Sequence, residues 1–129
     1  MPKIKKDLRN KSGREIATHL AKAALDKKAE NLVILDVRGL VSYTDYLVIM
    51  SGRSTRHTQG LADAVDEVLR SKRVSATSSE GFNEGLWILL DYNDVVVHIF
   101  YTEVREFYNL EGLWHDAPRL VLETGSQEG

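Results

Sequence analysis

Hydrophobic positions near the start of the chain recur at the three- and four-residue spacing of an amphipathic helix. Ile16, Leu20 and Ala24 fall on one side of such a helix. Ser12 precedes them as a potential N-cap, and Glu15 follows it at the position that completes a capping box. The pattern therefore predicts a helix from about residue 13 to residue 29.

A second helical stripe follows in the middle of the chain. Ser54 or Thr55 can cap this helix, which continues to about Lys72. A third, shorter helix is predicted over residues 103–108. The apolar positions that form the inward side of the second helix are Leu61, Val65, Val68 and Leu69.

Runs of β-branched and aromatic residues alternate with these helices and predict strands. Most of the runs are nearly continuous, which is typical of strands buried on both faces of a sheet. The last two flank Tyr92-Asn93-Asp94, and Asn tolerates the left-handed conformation of a tight turn, so they predict a hairpin. The predicted strands are 32–37, 43–52, 74–79, 86–91 and 95–101.

The alternation of strand, helix and strand predicts an α/β fold, in which helices cover a sheet. A chain of 129 residues is long enough for one domain and too short for two ordinary ones. We expect this domain over residues 12–122, after a flexible basic segment at residues 1–11. Residues 123–129 are expected to form a disordered tail.

Charge changes sign along the chain although the formal net charge is only -2. Residues 1–30 carry nine Lys or Arg against four Asp or Glu, whereas residues 76–129 carry two against ten. An acidic C-terminal half repels nucleic acid phosphates and attracts a basic protein. We therefore expect no direct sequence-specific contact with nucleic acid, although solubility alone also explains such a charge pattern.

Composition excludes several other classes of protein. The chain has no cysteine, so disulfides, thiolate metal sites and cysteine nucleophiles are absent. No run of eighteen apolar residues is present, which argues against a membrane span. The basic start lacks the apolar core of a secretory signal, so a cytoplasmic location is expected, with a mitochondrial presequence as the less favoured interpretation.

The hairpin holds the clearest candidate for chemistry. Trp87, Leu89 and Asp91 alternate onto one side of its first strand, and His98 and Phe100 onto one side of its second. If the register pairs these sides, Asp91 faces His98. Such a pair fits a recognition surface, an acid/base dyad or an ordinary hydrogen bond, and catalysis is the least favoured because no nucleophile or metal site accompanies it.

Three motifs, in order, resemble those of the ribosomal silencing factor family, also called Iojap-like proteins. The resemblance covers about residues 16–121. The motifs are Thr44-Asp45-Tyr46-x-Val48-Ile49-x-Ser51-Gly52-x-Ser54, then Glu80-Gly81 with Trp87-x-Leu89-x-Asp91-Tyr92-x-Asp94-x-Val96-Val97-His98-x-Phe100, then Arg105-x-Phe107-Tyr108-x-Leu110-Glu111-x-Leu113-Trp114 with Ala117-Pro118.

The resemblance implies a mixed sheet of about five strands flanked by helices, similar to nucleotidyltransferase folds. It implies binding to the L-fourteen-type protein of the large ribosomal subunit, which blocks subunit association sterically and lowers translation when nutrients are scarce. It implies no catalysis, metal or cofactor. The acidic pair of true nucleotidyltransferases has no counterpart here, since the Trp87-x-Leu89-x-Asp91 segment offers a single acid.

Within this resemblance the hairpin and the third motif are the expected partner-binding surface. A degenerate nucleotide-binding protein or enzyme that uses Ser51-Gly52 and Asp91 is the alternative, and a homodimer through the same surface is possible. Three departures from the family pattern are Asn93 where the hairpin turn usually has Gly, Gly60 within the second helix and Gly112 within the third motif. The candidate partner-binding residues are Trp87, Leu89, Asp91, Tyr92, His98, Phe100, Arg105, Glu111 and Trp114.

Overall fold

A computed structural model describes residues 12–109, 112 and 115–120 of the chain. The predicted termini at 1–11 and 123–129 lie outside these residues, as do Glu111 and Trp114. Helices and strands follow one another in the predicted order, although the second strand begins at Tyr46 rather than at residue 43 and the third covers Ser78–Glu80 rather than residues 74–79. The elements are α1 (Gly13–Asp26), β1 (Glu30–Asp36), β2 (Tyr46–Gly52), α2 (Thr55–Ser71), β3 (Ser78–Glu80), β4 (Trp87–Asp91), β5 (Val95–Tyr101) and α3 (Thr102–Tyr108).

Within residues 12–109 the strands form one five-stranded sheet in the order β1-β2-β5-β4-β3. The central strands β2 and β5 are parallel, and the other pairs are antiparallel. Parallel neighbours need a long crossover, which α2, β3 and β4 supply here. The expected mixed sheet of an α/β domain and the β4–β5 hairpin are confirmed, while the likeness to nucleotidyltransferases stays a prediction.

Side-chain caps begin the two long helices where the sequence predicts. The Ser12 Oγ accepts a hydrogen bond from the Glu15 amide at 3.3 Å, and the Ser54 Oγ accepts one from the His57 amide at 3.0 Å. The first helix ends at Asp26 rather than at residue 29. Lys28 adopts the left-handed conformation (φ 68°), which is incompatible with continuing the helix.

Both faces of the two central strands are covered, so β2 is buried along its whole length and β5 is buried up to Phe100. One face packs against α1 and α2 through apolar residues such as Leu20 and Leu61. The opposite face, called the outer face below, includes Leu35, Leu47 and Phe100. Burial on both faces explains why the central strands are continuous apolar runs.

The chain after α3 returns to the free edge of β1. The Asp36 amide donates to the Pro118 carbonyl at 2.8 Å, and the Leu120 amide donates to the Ile34 carbonyl at 2.9 Å. This pairing satisfies backbone groups that an edge strand would leave open. Leu113 and Trp114 of the third motif lie outside the described residues. No helix in the described part of the chain is long and apolar enough to cross a membrane.

Candidate functional site

The β4–β5 hairpin brings the candidate residues of the outer face together. Trp87 pairs with Phe100, Leu89 with His98, and Asp91 with Val96. Because side chains of directly paired residues share a face, the expected patch of Trp, Leu, Asp, His and Phe is confirmed. A two-residue turn at Asn93, with φ at 74°, closes the hairpin.

The register separates Asp91 from His98, so the expected pair between them is wrong. Asp91 lies one pair beyond His98 on this face, and its Oδ1 accepts a hydrogen bond from the Asn93 amide at 2.8 Å. Its carboxylate therefore closes the turn as an Asx-turn does. An acid/base dyad between Asp91 and His98 loses its geometric basis.

His98 is instead bound by Trp87. The Trp87 Nε1–H donates to the His98 Nδ1 at 3.0 Å, which requires an unprotonated Nδ1. Burial lowers the pKa of His98 from 6.5 to about 4. The imidazole is therefore neutral at physiological pH, carries its proton on Nε2, and orients the indole.

Burial divides the hairpin candidates into two groups. Phe100 is 0% exposed, Tyr92 is 4% exposed and His98 is 7% exposed, whereas Trp87, Leu89 and Asp91 are partly exposed. Phe100 is therefore a core residue beneath Trp87, with its ring centroid 4.8 Å from the indole, and not the expected exposed contact.

Tyr92 points to the opposite face of the sheet and serves the fold. Its Oη–H donates to the Asp66 Oδ1 of α2 at 2.9 Å. Burial, together with this hydrogen bond, raises the pKa of Tyr92 well above its usual value of 10. Tyr92 is therefore buried against α2 and does not present its side chain on the outer face.

Arg105 also occupies a structural position. It is 9% exposed, and its Nη1 donates to the Ser51 Oγ at 2.9 Å. The neighbouring Thr102 Oγ1 donates to the Gly52 carbonyl at 3.0 Å. These two bonds join α3 to the end of β2 and involve the Ser51-Gly52 segment of the nucleotide-binding alternative.

Two aromatic residues that were not among the candidates complete the site. The Tyr108 ring lies 4.7 Å from the Trp87 ring, and the Phe107 ring lies 5.1 Å from that of Tyr108. Phe107 is 81% exposed, the highest value among the large hydrophobic residues of the described part. Their place in the third motif was the available signal, but the sequence does not show that α3 lies beside Trp87.

The arrangement offers apolar contact and hydrogen bonding. Partly exposed Trp87 and Leu89 lie beside the Asp91 carboxylate on one side of a rigid sheet. Among the described residues no three His, Asp or Glu side chains form a cluster that can hold a metal ion. Such a surface suits recognition of another macromolecule, since partly exposed aromatic side chains on rigid elements are common interface contacts.

Comparison with known proteins covers nearly the whole chain. A family model described as "Ribosomal silencing factor during starvation" matches residues 10–129. The ribosomal silencing factor RsfS of Bacillus subtilis is 38% identical over 108 residues, which cover 84% of this chain and 92% of that protein. The chloroplastic protein Iojap of Zea mays is 35% identical over 111 residues, or 86% of this chain and 48% of that protein.

Solved structures share the fold. A crystal structure of a Chromobacterium violaceum protein gives a TM-score of 0.77 at 32% identity, covering 88% of this chain and 93% of that one. A crystal structure from Bacillus halodurans gives 0.76 at 34% identity, covering 85% of this chain and 100% of that one.

Proposed function

Because the chain belongs to the ribosomal silencing factor family, we propose that it binds the large ribosomal subunit through the L-fourteen-type protein and represses translation in the cytoplasm. The outer face of β4 and β5 is the proposed contact surface. When the protein is bound to the L-fourteen-type protein, it blocks association of the large subunit with the small subunit sterically. No bond is made or broken in this mechanism.

The observation that carries the proposal is the partly exposed row of Trp87, Leu89 and Asp91 on β4. Buried Phe100 and His98 hold the indole from beneath and from the side. A pre-oriented aromatic side chain loses little conformational entropy on binding, so its contact energy contributes more fully to affinity. Trp is also the residue type most often found as a dominant interface contact.

Charge supports a basic partner. Residues 76–129 carry ten acidic and two basic residues, and β4, β5 and α3 all lie in this segment. Opposite charges accelerate encounter and orient the two surfaces before contact. A ribosomal protein that is basic because it contacts RNA fits such a surface.

We expect Trp87→Ala and Asp91→Arg to weaken binding to purified large subunits by at least about tenfold, since each removes or reverses a central contact. Co-sedimentation with large subunits measures the affinity, and light scattering of mixed subunits measures their association. Circular dichroism establishes that each variant is folded.

The controls lie outside β4, β5 and α3. Tyr43→Ala removes another exposed aromatic side chain, and Asp63→Arg makes the same charge change on the exposed side of α2. Both are expected to bind as the wild type does. Equal retention of wild type, Trp87→Ala and Asp91→Arg would contradict the assigned surface.

A further inference from the structure

A groove opens beside the proposed contact surface, between the start of β4 and α3. It has a volume of about 500 Å³, and its walls include Trp87, Tyr101 and Val104. Leu86, Phe107 and Tyr108 also line it, at 43%, 81% and 51% exposure. These are three of the five exposed large hydrophobic residues in the described part of the chain. Such clustering marks an interaction site.

Two carboxylates border this groove. Glu84 and Glu103 both line it, and both are exposed. Neither makes an ion pair or a hydrogen bond with its side chain, while no Lys, Arg or His is among the described residues of its walls. The groove therefore combines aromatic faces with uncompensated negative charge.

This combination is the chemistry that recognises a cationic side chain. An aromatic ring attracts a cation to its face through the ring quadrupole, and nearby carboxylates add charge-assisted hydrogen bonds. A guanidinium fits better than an ammonium because it is planar, stacks on rings and carries several N–H donors. Nucleic acid phosphates would be repelled by the same carboxylates.

The groove walls are held in place before any partner binds. The Thr102 and Arg105 side chains fasten α3 to Gly52 and Ser51. Trp87 packs against Tyr108 on one side while His98 accepts its indole N–H on the other. A preformed groove avoids the ordering cost that a mobile one would incur on binding.

We propose that this groove receives an arginine side chain from a basic segment of the protein partner on the large subunit. The inference rests on the proposed function, which supplies the partner, and extends its surface from β4 to α3. Trp87 belongs to both areas and makes them continuous. Phe107 and Tyr108 stack on the guanidinium, while Glu84 and Glu103 accept its hydrogen bonds.

Charge and apolar contact in the groove can be tested separately. We expect the double variant E84Q/E103Q and the variant Phe107→Ala each to weaken co-sedimentation with purified large subunits by about five- to tenfold. The matched controls are D26N/E67Q, which removes two exposed carboxylates elsewhere, and Tyr43→Ala. Wild-type affinity in both groove variants would overturn the proposal.

A crosslink identifies what occupies the groove. Phe107→p-benzoyl-phenylalanine keeps an aromatic ring at the most exposed position, and illumination in the presence of purified large subunits joins it to its neighbour. The proposal expects an adduct on a protein segment that contains arginine. An adduct on ribosomal RNA, on a second copy of this chain, or on no ribosomal component would overturn it.

These outcomes separate the two proposals. If Trp87→Ala and Asp91→Arg weaken binding while the groove variants do not, the groove proposal fails and the proposed function stands. If none of the four weakens binding, the assigned surface of the proposed function fails, and the groove proposal fails with it.

Discussion

The hydrogen bond from Trp87 to His98 fixes the orientation of the indole and the protonation state of the imidazole. The Nδ1 of His98 cannot accept this bond when it is protonated, and burial opposes the charge. The proposed contact surface therefore depends on a neutral histidine. Its shape is expected to be constant near neutral pH. In acid, protonation of His98 is expected to break the hydrogen bond that orients Trp87.

Stability is expected to fall as the pH is lowered from about 6.5 towards about 4. The folded-state pKa of His98 is lowered to about 4 from its ordinary 6.5, so the unfolded chain binds the proton first in this window. Between pH 7 and pH 5 the His98 contribution amounts to about 2 kcal/mol. Urea unfolding at both pH values measures the free energy of unfolding. Between pH 7 and pH 5, this free energy should fall by about 2 kcal/mol less in His98→Gln than in the wild type. An identical loss in both proteins would contradict the assignment.

Two glycines with nearly equal φ angles provide a matched test of local packing. At Gly81 (φ +83°) an added Cβ would collide with the Trp87 carbonyl oxygen, whereas at Gly39 (φ +82°) it would meet no atom within 4 Å. Gly39→Ala should therefore cost about 1 kcal/mol for the left-handed conformation alone. Gly81→Ala should cost at least about 2 kcal/mol more, since backbone must move. Urea unfolding compares them, and equal losses would be the contrary result.

Helix α2 carries a glycine that its surroundings do not require. An added Cβ at Gly60 meets no atom within 4 Å. Gly60→Ala should stabilise the protein by about 0.5–1 kcal/mol, because alanine loses less backbone entropy in a helix. A rise in Tm on thermal unfolding checks this. In α1, Gly13→Ala serves as the contrast, since its Cβ would lie 3.0 Å from the Tyr46 ring, and it should destabilise.

In the proposed function the whole domain acts as a rigid platform. The nucleotide-binding alternative instead requires the Ser51-Gly52 segment to be free to bind a ligand. Ser51 is buried and its hydroxyl is bonded to Arg105, so the Ser-Gly segment is part of the α3 attachment. A ligand that binds the native state must raise the Tm. We expect no nucleotide binding, so ATP with Mg²⁺ should leave the Tm unchanged. Clear stabilisation at sub-millimolar nucleotide would revive the alternative.

Oligomeric state also belongs to the whole molecule. A homodimer through the outer face would cover Trp87 and Leu89 and compete with the ribosome for them. Size-exclusion chromatography with light scattering measures the mass of the free protein. If a dimer forms, the proposed function requires it to dissociate when large subunits are added.

The sequence by itself determined the type and order of the elements, the hairpin and the family. Apolar periodicity and capping residues such as Ser12 and Ser54 act locally, and three motifs in fixed order identify a family without any coordinates. It also placed the alternating residues of β4 and β5 on one face, because strand geometry repeats every two residues.

Only the tertiary structure decided which of those residues are available to a partner. Phe100 and Trp87 look alike in the sequence, yet one is buried beneath the other. The strand register separates Asp91 from His98. The Arg105 side chain is buried, where it donates a hydrogen bond to Ser51. Burial, register and contacts between distant segments depend on how the elements pack in three dimensions. No local sequence pattern predicts them by itself.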